Sequence, residues 1–359
     1  MKGRRNIIGL GILLCIVLII KLYSLDPQRV EEGYSHGFYP RVGLVLRWIF
    51  GWLPFSLGDL FYWAIIIWLG WRLVKFTRKL IRRELSWAGT RRNAFKILVG
   101  YLVLYIVFNL LWGINYRRVG IARQLDLKME KYSRSDLEQI NELLVDKVNN
   151  AKTSLLNSKE TYPSNTVLFN KVWAAYNRCD SLYPFLHYRP PSIKSSMWGW
   201  AGNYLGFTGY YNPFTGEAQV NTTVPRFLQP FIACHEVAHQ LGYAKEMEAN
   251  FVGYLAARES ADTLFQYSVY LDLFIYSNRN LFNVDSTVAR QYAAKLLPPV
   301  KEDIMEWKRF YRRHRNPLEP VFRWLYGKYL QSNEQPQGIL AYDEVTSFLI
   351  AYYKKFGKI

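Results

Sequence analysis

Three long apolar segments dominate the first third of the 359-residue sequence. They cover about residues 7–23, 57–75 and 94–114. A helix that crosses a bilayer needs about 20 mostly apolar residues, and each segment is close to that length. Because no small-residue cleavage site follows the first segment, we expect an uncleaved anchor rather than a signal peptide. The sequence therefore predicts a membrane anchor of three helices in residues 1–116.

Basic residues cluster in the loop between the second and third segments. The chain carries a net charge of +18, and no zinc-ribbon spacing, P-loop or RNA-recognition pattern accompanies it, so nucleic-acid binding is not expected. Loops rich in Lys and Arg stay on the cytoplasmic side of a membrane, which predicts that residues 117–359 lie outside the cytoplasm. The basic residues in and beside this loop are Arg72, Lys75, Arg78, Lys79, Arg82, Arg83, Arg91, Arg92 and Lys96.

The second segment begins at a helix-capping pattern. Ser56 is followed three residues later by Asp59, which is the spacing of a capping box. The pattern predicts a membrane helix that starts near Leu57, with Trp48 and Trp52 in the membrane interface before it. Asp59 is then a residue of the helix end. The alternative is a functional carboxylate inside the bilayer.

A metal-binding pattern lies at residues 235–239. His235, Glu236 and His239 form the sequence H-E-x-x-H. On a helix, residues four apart share a face, so both imidazoles reach one point while Glu236 lies beside it. Catalytic zinc sites need such ligands, an open position and a carboxylate base. The pattern predicts one Zn²⁺ per chain; the alternative is a surface helix with two unrelated histidines.

The third zinc ligand is predicted on the next helix. Gly242 allows the left-handed conformation that ends a helix and turns the chain back. Glu246 and Glu248 follow, and either one completes a site of two histidines and one glutamate. Glu246 is favoured because Asn250 lies four residues later on the same face, where its amide can bond an imidazole N–H.

Residues 117–359 are predicted to form a mainly helical domain with a small sheet. A turn at 212–216 leads into a short strand just before the motif helix at 225–242. We expect the open edge of this strand, at Gln219, Val220 and Asn221, to pair with an extended peptide; the alternative is a hairpin that only covers the core. The motif helix is too short and too polar to span a bilayer. Further helices are predicted at about 133–148, 166–179, 245–260, 262–280, 287–297, 299–313, 318–329 and 343–355.

The three cysteines do not indicate a disulfide framework. Cys234 directly precedes His235, and we expect it to be a small buried residue of the motif helix rather than a zinc ligand. A bridge between Cys179 and Cys234 is an alternative in an oxidising compartment, but free thiols are favoured.

Two parts of the sequence resemble known families. H-E-x-x-H followed by Glu246-x-x-Ala249-Asn250 resembles the glutamate zincins, whose third ligand lies on a second helix. The three apolar segments, the block Y-N-P-F-T-G-E-A-Q-V-N at 211–221 and the block A-C-H-E-x-x-H-Q-x-G at 233–242 resemble a bacterial membrane protein family catalogued as domain of unknown function 3810. The resemblance implies a zincin-like α+β catalytic domain on the outer side of the inner membrane. Lys245 stands where metzincins have a third histidine, and the gap before Glu246 is shorter than in many glutamate zincins.

The resemblance and the motif together predict a membrane-anchored zinc metallopeptidase. In such an enzyme His235, His239 and Glu246 hold zinc, and Glu236 takes a proton from the water that attacks the peptide bond. Tyr210 and Tyr211 are candidates for stabilising the oxyanion. The alternatives are a zinc hydrolase of cell-wall peptides or other amides, and a non-catalytic envelope scaffold. A purely structural zinc site would not need Glu236.

Overall fold

The computed structural model describes residues 2–158, 161–333 and 344–359, with side chains from residue 5 onward. This part of the chain is mainly helical with one three-stranded sheet, as predicted. Helices α1 (Lys2–Tyr23), α4 (Leu57–Ile81) and α5 (Trp87–Leu111) are long and apolar enough to cross a membrane. Their apolar side chains are largely exposed, as lipid contact requires. Compared with the prediction, α4 continues to Ile81, and α5 begins earlier, at Trp87.

The start of α4 is fixed by the sheet of the main domain. Ser56 Oγ accepts a hydrogen bond from the Asp59 amide at 2.9 Å, which confirms the predicted cap. The Glu217 carboxylate accepts from the amides of Leu57 at 3.2 Å and Gly58 at 2.7 Å. Asp59 is buried at the helix end, as predicted, where it accepts a hydrogen bond from the Met197 amide at 2.6 Å. A buried carboxylate therefore binds the N-terminal amides of this membrane helix, where the helix dipole favours negative charge.

Replacing Glu217 by glutamine is expected to lower the midpoint of thermal unfolding. A glutamine keeps the shape but has one acceptor oxygen and no charge, so the free energy of unfolding falls by about 1–3 kcal/mol. The measurement is a melting curve of the full-length protein in detergent. Glu302→Gln is the matched control, because Glu302 is exposed on a helix of the main domain. Equal midpoints for the two variants would contradict the role of Glu217.

A helical segment between α1 and α4 has no counterpart among the predicted elements. It runs through α2 (Pro27–Arg29), a π-helical stretch (Val30–Phe38) and α3 (Tyr39–Phe50). The π-helical stretch packs against a 3₁₀ turn at Gly113–Arg117, directly after α5. The chain before α4 and the chain after α5 therefore lie together at one end of these long apolar helices.

An apolar cluster joins the membrane helices to the main domain. It contains residues from both sides of the predicted boundary at residue 116, so the two regions share one packed interior. Its members are Ile20, Val30, Tyr34, Tyr39, Ile106, Trp112, Ile114, Tyr116, Tyr211 and Ala244.

The main domain packs its helices around α10 and α11, which lie at its centre. Helices α7 and α12 pack along each other beside them, and apolar residues at helical spacing form the core. The predicted helices are present; residue 343, the predicted start of the last one, lies outside the described residues. The helices are α6 (Ile121–Gln124), α7 (Arg134–Ser158), α8 (Asn165–Leu182), α9 (Gly199–Leu205), α10 (Gln229–Gln240), α11 (Glu246–Arg258), α12 (Thr263–Val284), α13 (Ser286–Ala294), α14 (Pro298–His314), α15 (Glu319–Ser332) and α16 (Val345–Phe356), with 3₁₀ turns at Pro184–Leu186 and Arg226–Leu228.

The sheet corrects one prediction. Its strands are β1 (Ile193–Ser195), β2 (Gly209–Asn212) and β3 (Glu217–Val220), in the order β1-β3-β2. The predicted turn joins β2 to β3 in an antiparallel pair, and β1 runs parallel to β3 on its other side. Both edges of β3 are therefore occupied. The expectation of an open edge at Gln219, Val220 and Asn221 is wrong. The edge is covered by β1, a strand from an earlier part of the chain that was not predicted.

Candidate metal centre

Helices α10 and α11 bring the predicted ligands together. His235 and His239 lie one turn apart on α10, with ring centroids 4.7 Å apart and ring planes at 89°. Gly242 has a φ of +90°, the left-handed conformation that ends α10 and reverses the chain. Glu246 then opens α11, which packs directly against α10.

The two distances from the histidine nitrogens to Glu246 match the edges of a tetrahedral zinc site. Nε2 of His235 lies 3.3 Å from Oε2 of Glu246, and Nε2 of His239 lies 3.4 Å from the same oxygen. Among the described residues, this is the only group of His, Cys, Asp and Glu side chains close enough to hold a metal ion. A tetrahedron with metal–ligand bonds of about 2.0–2.1 Å has edges of about 3.3–3.4 Å. The donor set therefore fits zinc in both chemistry and size.

His239 is oriented by contacts on both sides. Its Nδ1 lies 2.8 Å from the Tyr243 carbonyl oxygen, which assigns the proton to Nδ1 and directs Nε2 at the ligand cluster. Trp112, directly after the C-terminal end of α5, donates from Nε1 to the His239 carbonyl at 3.0 Å. Burial lowers the pKa of His239, but Glu246, Glu236 and the Tyr243 carbonyl together raise this pKa to about 9. A bound cation would displace that proton.

Glu236 lies beside the ligands and is not one of them. Its carboxylate is buried, and its Oε2 has no hydrogen-bond partner within the described part of the chain. A Cβ at Gly209 would lie 2.8 Å from Cδ of Glu236, so only glycine fits where β2 passes this side chain. Burial raises the pKa of Glu236 to about 8, and a neighbouring metal cation would lower it. The carboxylate therefore lies beside the ligand cluster with one oxygen that no described side chain or backbone group binds.

Glu248, the alternative third ligand, is directed elsewhere. Its buried carboxylate lies against Gly120 and interacts with Arg118. The Arg118 guanidinium pairs with Glu31 at 2.7 Å and donates to the Gly242 carbonyl at 3.1 Å. These charges stabilise the turn between α10 and α11. Of the two candidate glutamates, the structure brings Glu246 to the histidines.

Asn250 lies one turn after Glu246 on α11 and is buried. Burial lowers the pKa of His235, and the neighbouring Asn250 side chain partly opposes this shift. However, Nδ1 of His235 and Nδ2 of Asn250 both lack a hydrogen-bond partner among the described residues. The predicted bond between the amide and the imidazole N–H therefore stays a prediction.

Sequence reasoning misses a tyrosine that contacts the ligand cluster. The Tyr326 hydroxyl on α15 donates to Oε1 of Glu246 at 2.6 Å. The predicted oxyanion candidates point elsewhere: the hydroxyl of Tyr210 contacts Asp59, and that of Tyr211 contacts Tyr39. Tyr326 is one of 27 tyrosines and belongs to no motif, so only the folded chain reveals its position.

Replacing Tyr326 by phenylalanine is expected to weaken zinc binding about 10- to 100-fold, because partners that orient a metal ligand have effects of this size. The measurement is a competition titration of the full-length protein against a chromophoric chelator. Tyr329→Phe is the control, since its hydroxyl contacts Tyr116 at 3.2 Å. Equal zinc affinities in both variants would show that the contact with Glu246 is incidental.

The residues predicted to bind substrate are buried, and two of them bond to other parts of the protein. Gln219, Val220 and Asn221 are fully buried. The Gln219 amide donates to Ser56 Oγ at 2.5 Å, and the Asn221 amide donates to the Gly199 carbonyl at 3.0 Å.

All three cysteines are free thiols. Cys234 is fully buried on α10, as predicted. Burial also raises the pKa of the Cys179 thiol to about 12, so that thiol stays protonated.

The comparisons with known proteins give a family but no function. A family described as "Protein of unknown function (DUF3810)" matches residues 34–350. The matched region runs from the π-helical stretch into α16 and includes the ligand cluster. No curated protein and no solved structure matches the chain. Because the match covers most of the sequence, the chain belongs to the DUF3810 family of proteins of unknown function.

Proposed function

We propose that this protein is a membrane-anchored zinc metallopeptidase, with one zinc ion held by His235, His239 and Glu246. One observation carries the proposal: two imidazole nitrogens converge on one carboxylate oxygen at 3.3 and 3.4 Å. Three protein ligands leave one tetrahedral position open, which catalytic zinc sites need and structural sites lack. Glu236, beside the ligands, supplies the base that a structural site would not require.

The residues around the ligands suit peptide hydrolysis. Zinc supplies a Lewis acid that polarises a carbonyl group and makes water more acidic. Glu236 takes a proton from the water that attacks the peptide carbonyl carbon, and returns it to the nitrogen as the C–N bond breaks. The products are a carboxylic acid and an amine. Tyr326 holds the Glu246 carboxylate during these steps.

Strand β2 supports a peptide as the substrate. It is an outer strand of the sheet and passes Glu236 at Gly209. Within the described residues, β2 pairs with β3 along one edge only. An extended peptide can pair with the other edge, which brings its backbone past Glu236. A small amide would have no use for a strand edge, so this arrangement favours extended peptides over small amides.

The charge pattern supports placing the catalytic domain outside the cytoplasm. The loop between α4 and α5 is short and flanked by basic residues, which favours its retention in the cytoplasm. The chain after α5 then emerges on the opposite side of the membrane. The bilayer and a peptide or protein substrate are the proposed partners.

The test uses the full-length protein in detergent and a library of unrelated peptides. We expect zinc near one per chain, peptide cleavage, loss of cleavage with a chelator and recovery on adding zinc. Zinc binding with hydrolysis of amides other than peptides would favour the alternative hydrolase. A protein that binds no metal would contradict both enzyme proposals. The non-catalytic envelope scaffold would then be the remaining alternative.

A further inference from the structure

Helix α15 covers the metal centre but adds little to the core. Leu330 is the one buried residue of its 14, while Tyr326 on the same side reaches Glu246. A band of apolar residues on the other side is more than half exposed; its members are Leu318, Val321, Trp324 and Leu325. We call these four residues the outer face of α15. A contiguous apolar face of this kind on a water-facing surface marks an interaction site.

Contacts with the membrane helices fix where α15 lies. Near its C-terminal end, the Tyr329 hydroxyl contacts that of Tyr116, just beyond α5, at 3.2 Å. Near its N-terminal end, a row of aromatic rings leads to the second turn of α4. This row runs through Phe322, Phe207, Tyr210 and Tyr62, with centroid distances of 6.5, 5.9 and 6.2 Å. Helix α15 therefore bridges the outer ends of two membrane spans.

The chain around α9, which packs against α15, also contacts α4 near the start of that helix. Trp198 stacks on Trp63 of α4, with ring centroids 4.1 Å apart. Trp63 is the seventh residue of this span, so it lies about 9 Å along the helix from the start at Leu57. Trp200 beside it is 71% exposed. Tryptophan is favoured at the boundary between lipid headgroups and acyl chains.

Basic residues lie on α15 and directly before it in the chain. Helices that lie in a membrane interface combine an apolar face with basic residues that contact anionic headgroups. Lys328 lies on α15 itself, and the end of α14 just before it carries a run of exposed basic residues. These are Lys308, Arg309, Arg312, Arg313 and Arg315.

We propose that α15 lies in the outer interface of the bilayer, with its outer face among the lipids and the basic end of α14 at the headgroups. The apolar surface of α4 and α5 then continues onto α15. The metal centre beneath α15 is reached from the membrane surface rather than from bulk water. If the proposed peptidase function holds, its substrate is a polypeptide that is itself held in the membrane and is cut next to its membrane segment.

The bilayer contact is tested without any activity measurement. A cysteine replaces Leu325 in a Cys15→Ser background, and bimane is attached to the full-length protein in phosphatidylethanolamine–phosphatidylglycerol vesicles. Cys179 and Cys234 are buried and stay unlabelled. Val284→Cys is the matched control: Val284 is 59% exposed, compared with 53% for Leu325, and it adjoins the water-facing ion pair of Arg134 and Asp285.

We expect lipid-attached doxyl groups to quench bimane at residue 325 at least several-fold more than at residue 284, and aqueous iodide to show the reverse order. Iodide quenching at residue 325 equal to that at residue 284, without doxyl quenching, would overturn the bilayer contact. Val321→Cys provides a second position with the same expectation if the first variant does not fold.

The substrate class is tested with one peptide library in two forms, free in solution or fused outside a single transmembrane helix in the same vesicles. Confinement to the membrane raises the local concentration of the fused form, so we expect its cleavage to be at least about 10-fold faster. Equal rates would overturn the substrate class. Cleavage of neither form, together with doxyl quenching at residue 325, would overturn the peptidase function and leave the bilayer contact standing.

Discussion

Replacing Glu236 by glutamine is expected to lower kcat for peptide cleavage by about 10²- to 10⁴-fold while zinc stays bound. The loss corresponds to the contribution of one general base. Glutamine fills the same space beside Gly209 but cannot accept the proton of the attacking water. Because Glu236 is not part of the ligand group, the zinc content is expected to remain that of the unmodified protein. Steady-state cleavage and metal analysis of the same sample check both parts.

Glu248→Gln is the matched control for this variant. Glu248 is also buried, at 4% exposure, the same fraction as Glu236. A general effect of removing a buried negative charge would therefore appear in both variants. Cleavage at the unmodified rate by Glu236→Gln, or an equal loss in Glu248→Gln, would refute Glu236 as the base.

Replacing Glu246 by alanine is expected to remove zinc and activity together. The variant keeps both histidines but loses the oxygen on which they converge. Partners that only orient a metal ligand change affinity by about 10- to 100-fold, so loss of the ligand itself should exceed about 100-fold. Zinc per chain, measured after dialysis against a buffered free zinc concentration, is expected to fall from near one to near zero.

The same measurement on Glu248→Gln separates the two candidate ligands. We expect this variant to keep its zinc, because Glu248 lies against Gly120 and is not part of the ligand group. Zinc retained by Glu246→Ala and lost from Glu248→Gln would reverse the assignment of the third ligand.

Local patterns in the sequence predict the main parts of the ligand cluster. One helical turn is enough to bring His235 and His239 together. A glycine at position 242 is enough to predict the left-handed conformation that ends the helix. The turn then brings the start of the next helix, with Glu246, back towards the histidines. The membrane helices are also local features, since length and apolar composition define them.

Features that depend on distant parts of the chain are not predictable in this way. Tyr326 reaches Glu246 across 80 residues, and no motif marks it. The sequence around β3 predicts an edge strand, but in the structure β1, from an earlier segment, pairs with its second edge. Glu217 occurs in a block that reads as a turn and strand, yet its carboxylate binds the N-terminus of a membrane helix 159 residues earlier.

Residues from the region of the long apolar helices support the helix that carries the two histidines. Trp112 donates to the carbonyl of His239 at 3.0 Å, and the Tyr39 hydroxyl donates to that of Gln240 at 2.8 Å. Both bonds hold the C-terminal end of α10, where carbonyl groups otherwise lack helical partners. Residues 117–359 alone would lack these bonds, so the full-length chain is the form in which the site should be measured.

We propose that zinc binds to two imidazoles and one carboxylate. X-ray absorption at the zinc edge of the full-length, zinc-loaded protein tests this ligand set. We predict nitrogen and oxygen neighbours at about 2.0–2.2 Å, a multiple-scattering signal from two imidazoles, and no sulfur at about 2.3 Å. A sulfur neighbour, or a spectrum without imidazole scattering, would contradict the site.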